Sequence, residues 1–200
     1  QLYLMRPDGG EARKITDARD GVANFAFSKN GRVVVYLSGR ANEQQLHVIA
    51  VSDLAGDTPK ATQLSKHATG VNTWRFSPDD KTIYFTSPDT VDKDEGARMD
   101  KKFDVRIRNP ETPVASLWAL DVATKQERRL TRDTSYSVGA FVISDDSKWI
   151  GFQGLSANRY ERNITEQSDN ADPFIVETAT GKIERLTKNV DISESLPSFS

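Results

Sequence analysis

The chain has no cysteine, only two histidines, no long apolar run and no excess of either charge. Each shortage closes off a kind of chemistry. Without cysteine there is no disulfide framework, no thiol nucleophile and no cysteine-ligated zinc. The compartment stays open, because cysteine-free chains suit both the periplasm and the cytoplasm. With His47 and His67 as the only imidazoles, a general base is scarce. No stretch approaches the ~18 apolar residues of a membrane span. The chain opens on "QLYLMRPDGG", a strand and a turn rather than a charged-then-apolar leader, so any signal peptide is expected upstream of Gln1. Lys and Arg number 27 against 29 Asp and Glu, a net charge of −2, which argues against a nucleic-acid or membrane-surface partner. There is no Gly-x-Ser-x-Gly elbow, His-Glu-x-x-His helix, phosphate loop or dinucleotide fingerprint. No catalytic residue, cofactor site or metal site is expected within these residues.

What is present is repetition. "NFAFSKNGRVVVYLSG", "TWRFSPDDKTIYFTS" and "AFVISDDSKWIGFQG" share one layout, and "PSFS" at 197–200 opens a further copy. Their serines, Ser28, Ser77, Ser144 and Ser200, are separated by 49, 67 and 56 residues. A second phrase, "EARKIT", "KATQLS", "QERRLT" and "IERLT", keeps step with separations of 49, 66 and 56. A third element, "QLYLMRPDGG", "QLHVIAVSDLAGD", "SLWALDVATKQ" and "PFIVETATGK", precedes the second each time. Each apolar stretch is short, rich in β-branched and aromatic residues, alternates with polar ones and is bounded by turn formers, which favours strands. One unit is therefore four strands, A to D.

The A–B turn carries its own register signal. Pro78 presets φ, Asp79 and Asp80 tolerate turn conformations, and Asn30-Gly31 is a hairpin dipeptide. A four-stranded repeat of roughly 40–45 residues is the mark of β-propeller blades. A two-sheet sandwich also has short strands and regular turns, but it does not repeat a four-strand phrase. The expected fold is all-β, a partial propeller of four-stranded antiparallel blades forming an open arc. It comprises a half-blade at 1–16, blades at about 23–65, 72–131 and 139–187, and the start of another at 197–200.

Two insertions, "PDTVDKDEGARMDKKFDVRIRNPETPVA" (88–115) and "GLSANRYERNITEQSDNAD" (154–172), both separate strand B from strand C. Strands alternate direction, so these loops leave the blades on the rim that also carries the D–A connections. Long loops on a rigid scaffold are where binding concentrates. Arg106, Arg108, Tyr160 and Arg162 are the candidate rim contacts, since guanidinium forks suit carboxylates. His47, in "QLHVIAV", reads as a strand histidine on the more polar face, and His67 as a D–A loop residue. Asn163-Ile164-Thr165 matches a glycosylation acceptor, a pattern short enough to arise by chance.

The stretch "QLYLMRPDGGEARKITDARDGVANFAFSKNGRVVVYLSGR" resembles the propeller of the prolyl oligopeptidase family of serine peptidases, in the branch of acylaminoacyl peptidases and dipeptidyl-peptidase-like enzymes. The shared features are "QLY" with a Gly-Gly turn, "EAR", an Ile/Leu-Thr pair and a Phe/Trp-Ser-Pro-Asp-Gly-like turn, and they also occur in TolB-type propellers. Lys29-Asn30, Asp79-Asp80 and Asp145-Asp146 depart from the usual Pro-Asp-Gly in turn-compatible ways. The resemblance implies a propeller capping a C-terminal α/β-hydrolase domain that bears the Ser-Asp-His triad, none of which is in this chain. It also implies, for the dipeptidyl-peptidase branch, a Glu-Glu amine clamp. Here Glu161 and Glu166 occur singly, which leaves acylaminoacyl or oligopeptide cleavage ahead. The expected partners are that hydrolase domain, short peptide substrates admitted past the rim, and further copies of this chain. Other classes are a TolB-like interaction propeller without an enzyme and, more remotely, a sugar- or metal-assisted propeller enzyme. Paired catalytic carboxylates cannot be picked out for the last.

Overall fold

A computed structural model describes residues 1–56, 59–90, 97, 101, 113–133, 135–156, 171–189 and 192–199. Strands β1 (Tyr3–Leu4) and β2 (Arg13–Lys14) form a two-stranded antiparallel ladder. Three four-stranded sheets follow. The first runs β3 (Val22–Phe27), β4 (Val33–Ser38), β5 (Gln45–Ala50), β6 (Ala61–Gln63). The second runs β7 (Thr73–Phe76), β8 (Thr82–Pro88), β9 (Ala115–Asp121), β10 (Glu127–Arg129). The third runs β11 (Tyr136–Ile143), β12 (Trp149–Ser156), β13 (Asp172–Glu177), β14 (Ile183–Arg185). Sequence order equals spatial order in each sheet, so every blade is an antiparallel meander. A 3-10 helix, Val51–Ala55, leaves β5. The chain divides into two compact units, Gln1–Phe85 with Leu120–Glu127, and Thr86–Ala119 with Arg128–Ser200.

Each A–B turn is built by one serine. The N–H groups of Ser28, Ser77 and Ser144 donate to the carbonyls of Val33, Thr82 and Trp149 at 2.9, 2.8 and 2.9 Å. The serine hydroxyls accept from the N–H of those same residues at 3.1, 3.0 and 2.9 Å. Each hydroxyl then donates to the side chain two residues on, Asn30, Asp79 or Asp146, at 2.9, 2.7 and 2.7 Å. These serines are buried, so a hydroxyl with all its bonds made is required. The fourth residue of the turn is left-handed in every copy: Gly31 (φ 68°), Asp80 (φ 59°) and Ser147 (φ 61°). Asn30 does not share that conformation, so the turn is a six-residue loop closed by a single left-handed residue, not a two-residue Asn-Gly hairpin.

The C–D turns repeat in the same way. Asp121 and Glu177 donate N–H to Gln126 and Lys182 carbonyls at 3.0 and 2.9 Å, around left-handed Lys125 (φ 60°) and Gly181 (φ 75°). At the other end of the sheet a hydroxyl extends the C–D ladder by one rung. The N–H of Leu2, Leu46 and Leu117 donates to Thr16 Oγ1, Ser65 Oγ and Thr131 Oγ1 at 2.8, 2.9 and 2.9 Å. The third full blade departs from this rule because Pro173, which has no N–H, occupies the leucine position. Leu186 N–H still donates to the Pro173 carbonyl at 2.9 Å, while the Thr187 hydroxyl turns to the Glu194 carboxylate.

The B strands are buried on both faces. Val34 and Tyr36 join Ile15, Ile49 and Leu54 in one cluster, and the alternate residues Val35 and Leu37 are also fully enclosed. His47 lies on β5, as read from the sequence, and is partly buried. His47 pairs with Tyr36 across the strands and stacks on it, ring centroids 5.4 Å apart. Burial pushes its imidazole below the ordinary histidine range. The third blade repeats the stack with Phe152 on Phe174 at 5.3 Å, and Tyr136 covers both rings. Room for Tyr136 comes from Gly154. A Cβ there would lie 2.5 Å from Phe174 Cε2 and 3.3 Å from Tyr136 Cγ.

Two substitutions test this packing. Gly154→Ala forces rings, not flexible tips, to move and should cost about 1–3 kcal/mol in urea denaturation, with altered near-ultraviolet dichroism from Tyr136. An unchanged unfolding midpoint would refute the tight fit. Ser144→Ala removes both the acceptor for Trp149 N–H and the donor to Asp146, at about 1–2 kcal/mol. The Ser144 hydroxyl, then the Lys148 N–H, hold the Asp146 carboxyl below its ordinary 3.8. A carboxylate lowered by folding contributes stability above 3.8 and loses it as pH falls through the folded value. The wild-type chain should therefore weaken on acidification below about pH 4, and Ser144→Ala should flatten that slope in denaturation midpoints taken from pH 6 to pH 3.

Candidate functional site

In each sheet the A–B and C–D turns lie at one end and the B–C and D–A connections at the other. The first end is closed by the turns described above. The second carries the long connections 89–114 and 157–171, against only 39–44 in the first blade. The side chains that root these connections define the candidate site, and each unit is built in its own way.

In the first unit, Gln45 opens β5 and clamps the D–A connection. Its Oε1 accepts from Ser65 Oγ at 2.7 Å and from His67 N–H at 2.9 Å, and its Nε2 donates to the His67 carbonyl at 3.1 Å. Gln1 does the same one repeat earlier, accepting from Thr16 Oγ1 at 2.9 Å and Ala18 N–H at 3.0 Å. The backbone of His67 thus fixed, its ring meets the edge of Phe85 at 5.2 Å and places Nδ1 2.7 Å from Glu127 Oε2. Glu127 also accepts from Lys66 N–H at 3.2 Å. Both side chains are largely buried, so this is a brace between the connection after β6 and strand β10. Asp80 adds a second tie, accepting from Lys29 N–H at 2.7 Å and Asn30 N–H at 2.8 Å. Close packing completes the rim. Gly70 lies so near the Asn42 backbone that a Cβ would collide with it, and its N–H donates to the Asn42 carbonyl at 2.9 Å.

In the second unit, Arg129 at the end of β10 roots the first insertion. Its guanidinium donates to Asp89 at 2.6 Å, Ser116 Oγ at 2.7 Å and the Thr131 carbonyl at 2.6 Å, and lies 5.8 Å over the Trp118 ring. Ser116 in turn donates to Asp89 at 2.9 Å. Such a fork, bonded on several sides and half desolvated, is a structural brace with little capacity left for a ligand. Arg185 holds the same position in the third blade and pairs with Asp172 at 2.6 Å. The Tyr136 hydroxyl is buried and has no hydrogen-bond partner among the described residues. Burial, then the nearby Asp133 carboxylate, push its ionisation up to about 12, so it stays protonated at physiological pH.

The candidate rim contacts Arg106, Arg108, Tyr160 and Arg162 lie outside the described residues, as does Asn163. His67 falls on a D–A connection as read from sequence, with Glu127 as a partner that the sequence reading had not singled out. Arg129 and Asp89 were likewise missed. The available signal was the repeat itself, which puts Lys14, Gln63, Arg129 and Arg185 in one column beside Gln1, Gln45, Ser116 and Asp172. No group of three or more potential metal ligands occurs among the described residues. No helix there is long and apolar enough to cross a membrane.

No protein-family model and no curated protein matches the chain. Solved structures do. A putative TolB from Agrobacterium tumefaciens is 16% identical over 96% of this chain and 57% of that one, with a TM-score of 0.59. TolB from Acinetobacter baumannii is 18% identical over 96% of this chain and 38% of that one, at 0.55. A prolyl endopeptidase is 16% identical over 94% of this chain and 26% of that one, at 0.58. The chain therefore spans 57% and 38% of the two TolB chains and about a quarter of the peptidase. At these identities the likeness is one of fold: the three sheets are blades of a β-propeller.

Proposed function

We propose that this chain is the non-catalytic propeller portion of a serine peptidase acting on acylated or short oligopeptides, and that its B–C rim gates access to a hydrolase domain. The observation that carries the reading is the asymmetry of the blades. One end is closed by short turns locked by buried serines, while the connections at the other end are long and rooted by Arg129–Asp89 and Arg185–Asp172. A rigid frame with extended loops on one rim suits selection by size and charge. The resemblance of residues 1–40 to prolyl oligopeptidase propellers, and the likeness of fold to a prolyl endopeptidase, support the peptidase class. A second reading, a TolB-like interaction propeller without an enzyme, is supported by the two TolB structures that cover 96% of the chain.

The two readings separate on chemistry outside these residues. Translation of the coding sequence downstream of Ser200 should show a Gly-x-Ser-x-Gly elbow followed by Asp and His, and an early stop would favour the TolB-like reading. The 200 residues alone should not react with a fluorophosphonate probe. Labelling of a serine in them, abolished by mutating that serine, would overturn the non-catalytic assignment. In the complete enzyme, Arg106→Ala, Arg108→Ala, Tyr160→Ala or Arg162→Ala should lower kcat/KM for charged peptides by about tenfold, the scale of one lost charge-assisted hydrogen bond. The comparison variant at the opposite end is Lys148→Ala, whose side chain is solvated. Equal effects at the two ends would reduce the insertions to solvated loops.

A further inference from the structure

The three A–B turns are built alike, but one carries an amide where the other two carry an acid. Asn30 holds the place of Asp79 and Asp146. All three side chains accept from the serine hydroxyl, and all three accept the N–H two residues on, from Arg32 at 2.9 Å, Lys81 at 3.2 Å and Lys148 at 3.0 Å. The serine hydroxyl holds the carboxyls of Asp79 and Asp146 below their ordinary range, so the turn actively binds a carboxylate at this place. Asn30 is also the one asparagine of the chain that a glycine follows, and both residues are exposed. The Gly31 nitrogen has no Cβ beside it, and one built there would meet nothing within 4 Å.

We propose that Asn30 is a site of spontaneous deamidation, which brings the first A–B turn to the acid form that the other two already have. The Gly31 nitrogen loses its proton and attacks Asn30 Cγ, and ammonia leaves as a succinimide ring closes. Water then opens the ring, at Cγ to give an aspartate at position 30, or at the main-chain carbonyl to give an isoaspartyl link. The balance is one water taken up and one ammonia released, with no oxidant or reductant. The Ser28 hydroxyl and the Arg32 N–H, each donating to Asn30 Oδ1 at 2.9 Å, face the oxygen on which negative charge develops during attack. The fold also sets the pace. In the closed turn the Gly31 N–H is committed to the Ser28 carbonyl at 2.9 Å, while the Asp80 carboxylate holds the Lys29 and Asn30 N–H groups at 2.7 and 2.8 Å. Attack requires Gly31 to leave its bond, so the reaction draws on the locally opened turn and Asp80 is the latch. Asp8-Gly9 and Asp20-Gly21 close the same ring but return to an acid, so only Asn30 gains a charge by this route. The inference does not rest on the peptidase reading.

Incubation of the folded 200-residue chain at mildly alkaline pH, followed by chymotryptic mapping in a mass spectrometer, tests it. The mass gain of amide-to-acid conversion should appear first in the peptide from Ser28 to Tyr36, with a matching acidic band on isoelectric focusing of the intact chain. Gly31→Ser places there the residue type that the third turn carries at Ser147 (φ 61°), so the turn keeps its shape while the attacking nitrogen is crowded. It should slow the conversion at least about tenfold. Asp80→Ala, with its fold checked by far-ultraviolet dichroism, should hasten it by about tenfold, the scale of a charge-assisted hydrogen bond that holds the turn shut. Asn30→Asp should retain the wild-type urea midpoint, and a large loss of stability would show that the turn does not take the acid. A wild-type chain that gains no mass in this peptide, while a free synthetic peptide of the same sequence converts, would overturn the site. Equal rates in the wild type and Asp80→Ala would overturn the latch.

Discussion

A buried serine hydroxyl just past the end of an A strand has both an acceptor and a donor to satisfy away from solvent. Ser28, Ser77 and Ser144 solve this in the same way, binding the first N–H of the next strand and the Asn or Asp side chain of the turn. That arrangement fixes how strand B leaves strand A. Strand pairing has a side-chain period of two, so a slip of one residue would turn every B-strand side chain to the wrong face. The side chains that strand β4 presents to the core, Val34 and Tyr36 beside Ile15 and Ile49, depend on that register.

The two ends of a blade have opposite chemistry for a related reason. Turns that set register must be short and internally bonded, and they leave little room for variation. The far end has to satisfy a different demand, carrying the longer B–C connections and the passages from one blade to the next, and braces do that work. Gln45 on the His67 backbone, Glu127 on the His67 ring and Arg129 on Asp89 all hold connections rather than strands. Long loops rooted in this way can vary without disturbing the frame, which is the condition for a rim that acquires specificity.

The repeat, the strand identities and the A–B turn were legible in the sequence because they rest on residues close together in the chain. What was not legible rests on pairs far apart. Asp80 reads as an ordinary turn residue, yet its carboxylate serves the backbone of Lys29 and Asn30. His67 reads as a loop histidine, and nothing local marks Glu127 as its partner. His47 reads as a strand histidine on the more polar face, and nothing local marks Tyr36 as the ring on which it stacks. Pro173 stood in plain sight, but its effect, the release of Thr187 to Glu194, follows only once the hydroxyl rung in the other blades is known. Tyr136 opens β11, and Gly154 reads as a strand glycine until the ring beside it is seen.

The tie between Asp80 and the turn before it bears on the order in which the molecule assembles and comes apart. Within a blade every strand pairs with its neighbour in sequence, so hairpins can form early from local encounters. Asp80, by contrast, reaches back to residues about fifty positions earlier, and its two bonds require both turns to exist already. The carboxylate of a single turn residue therefore couples the first two A–B turns, so that neither is fully fixed until both have formed.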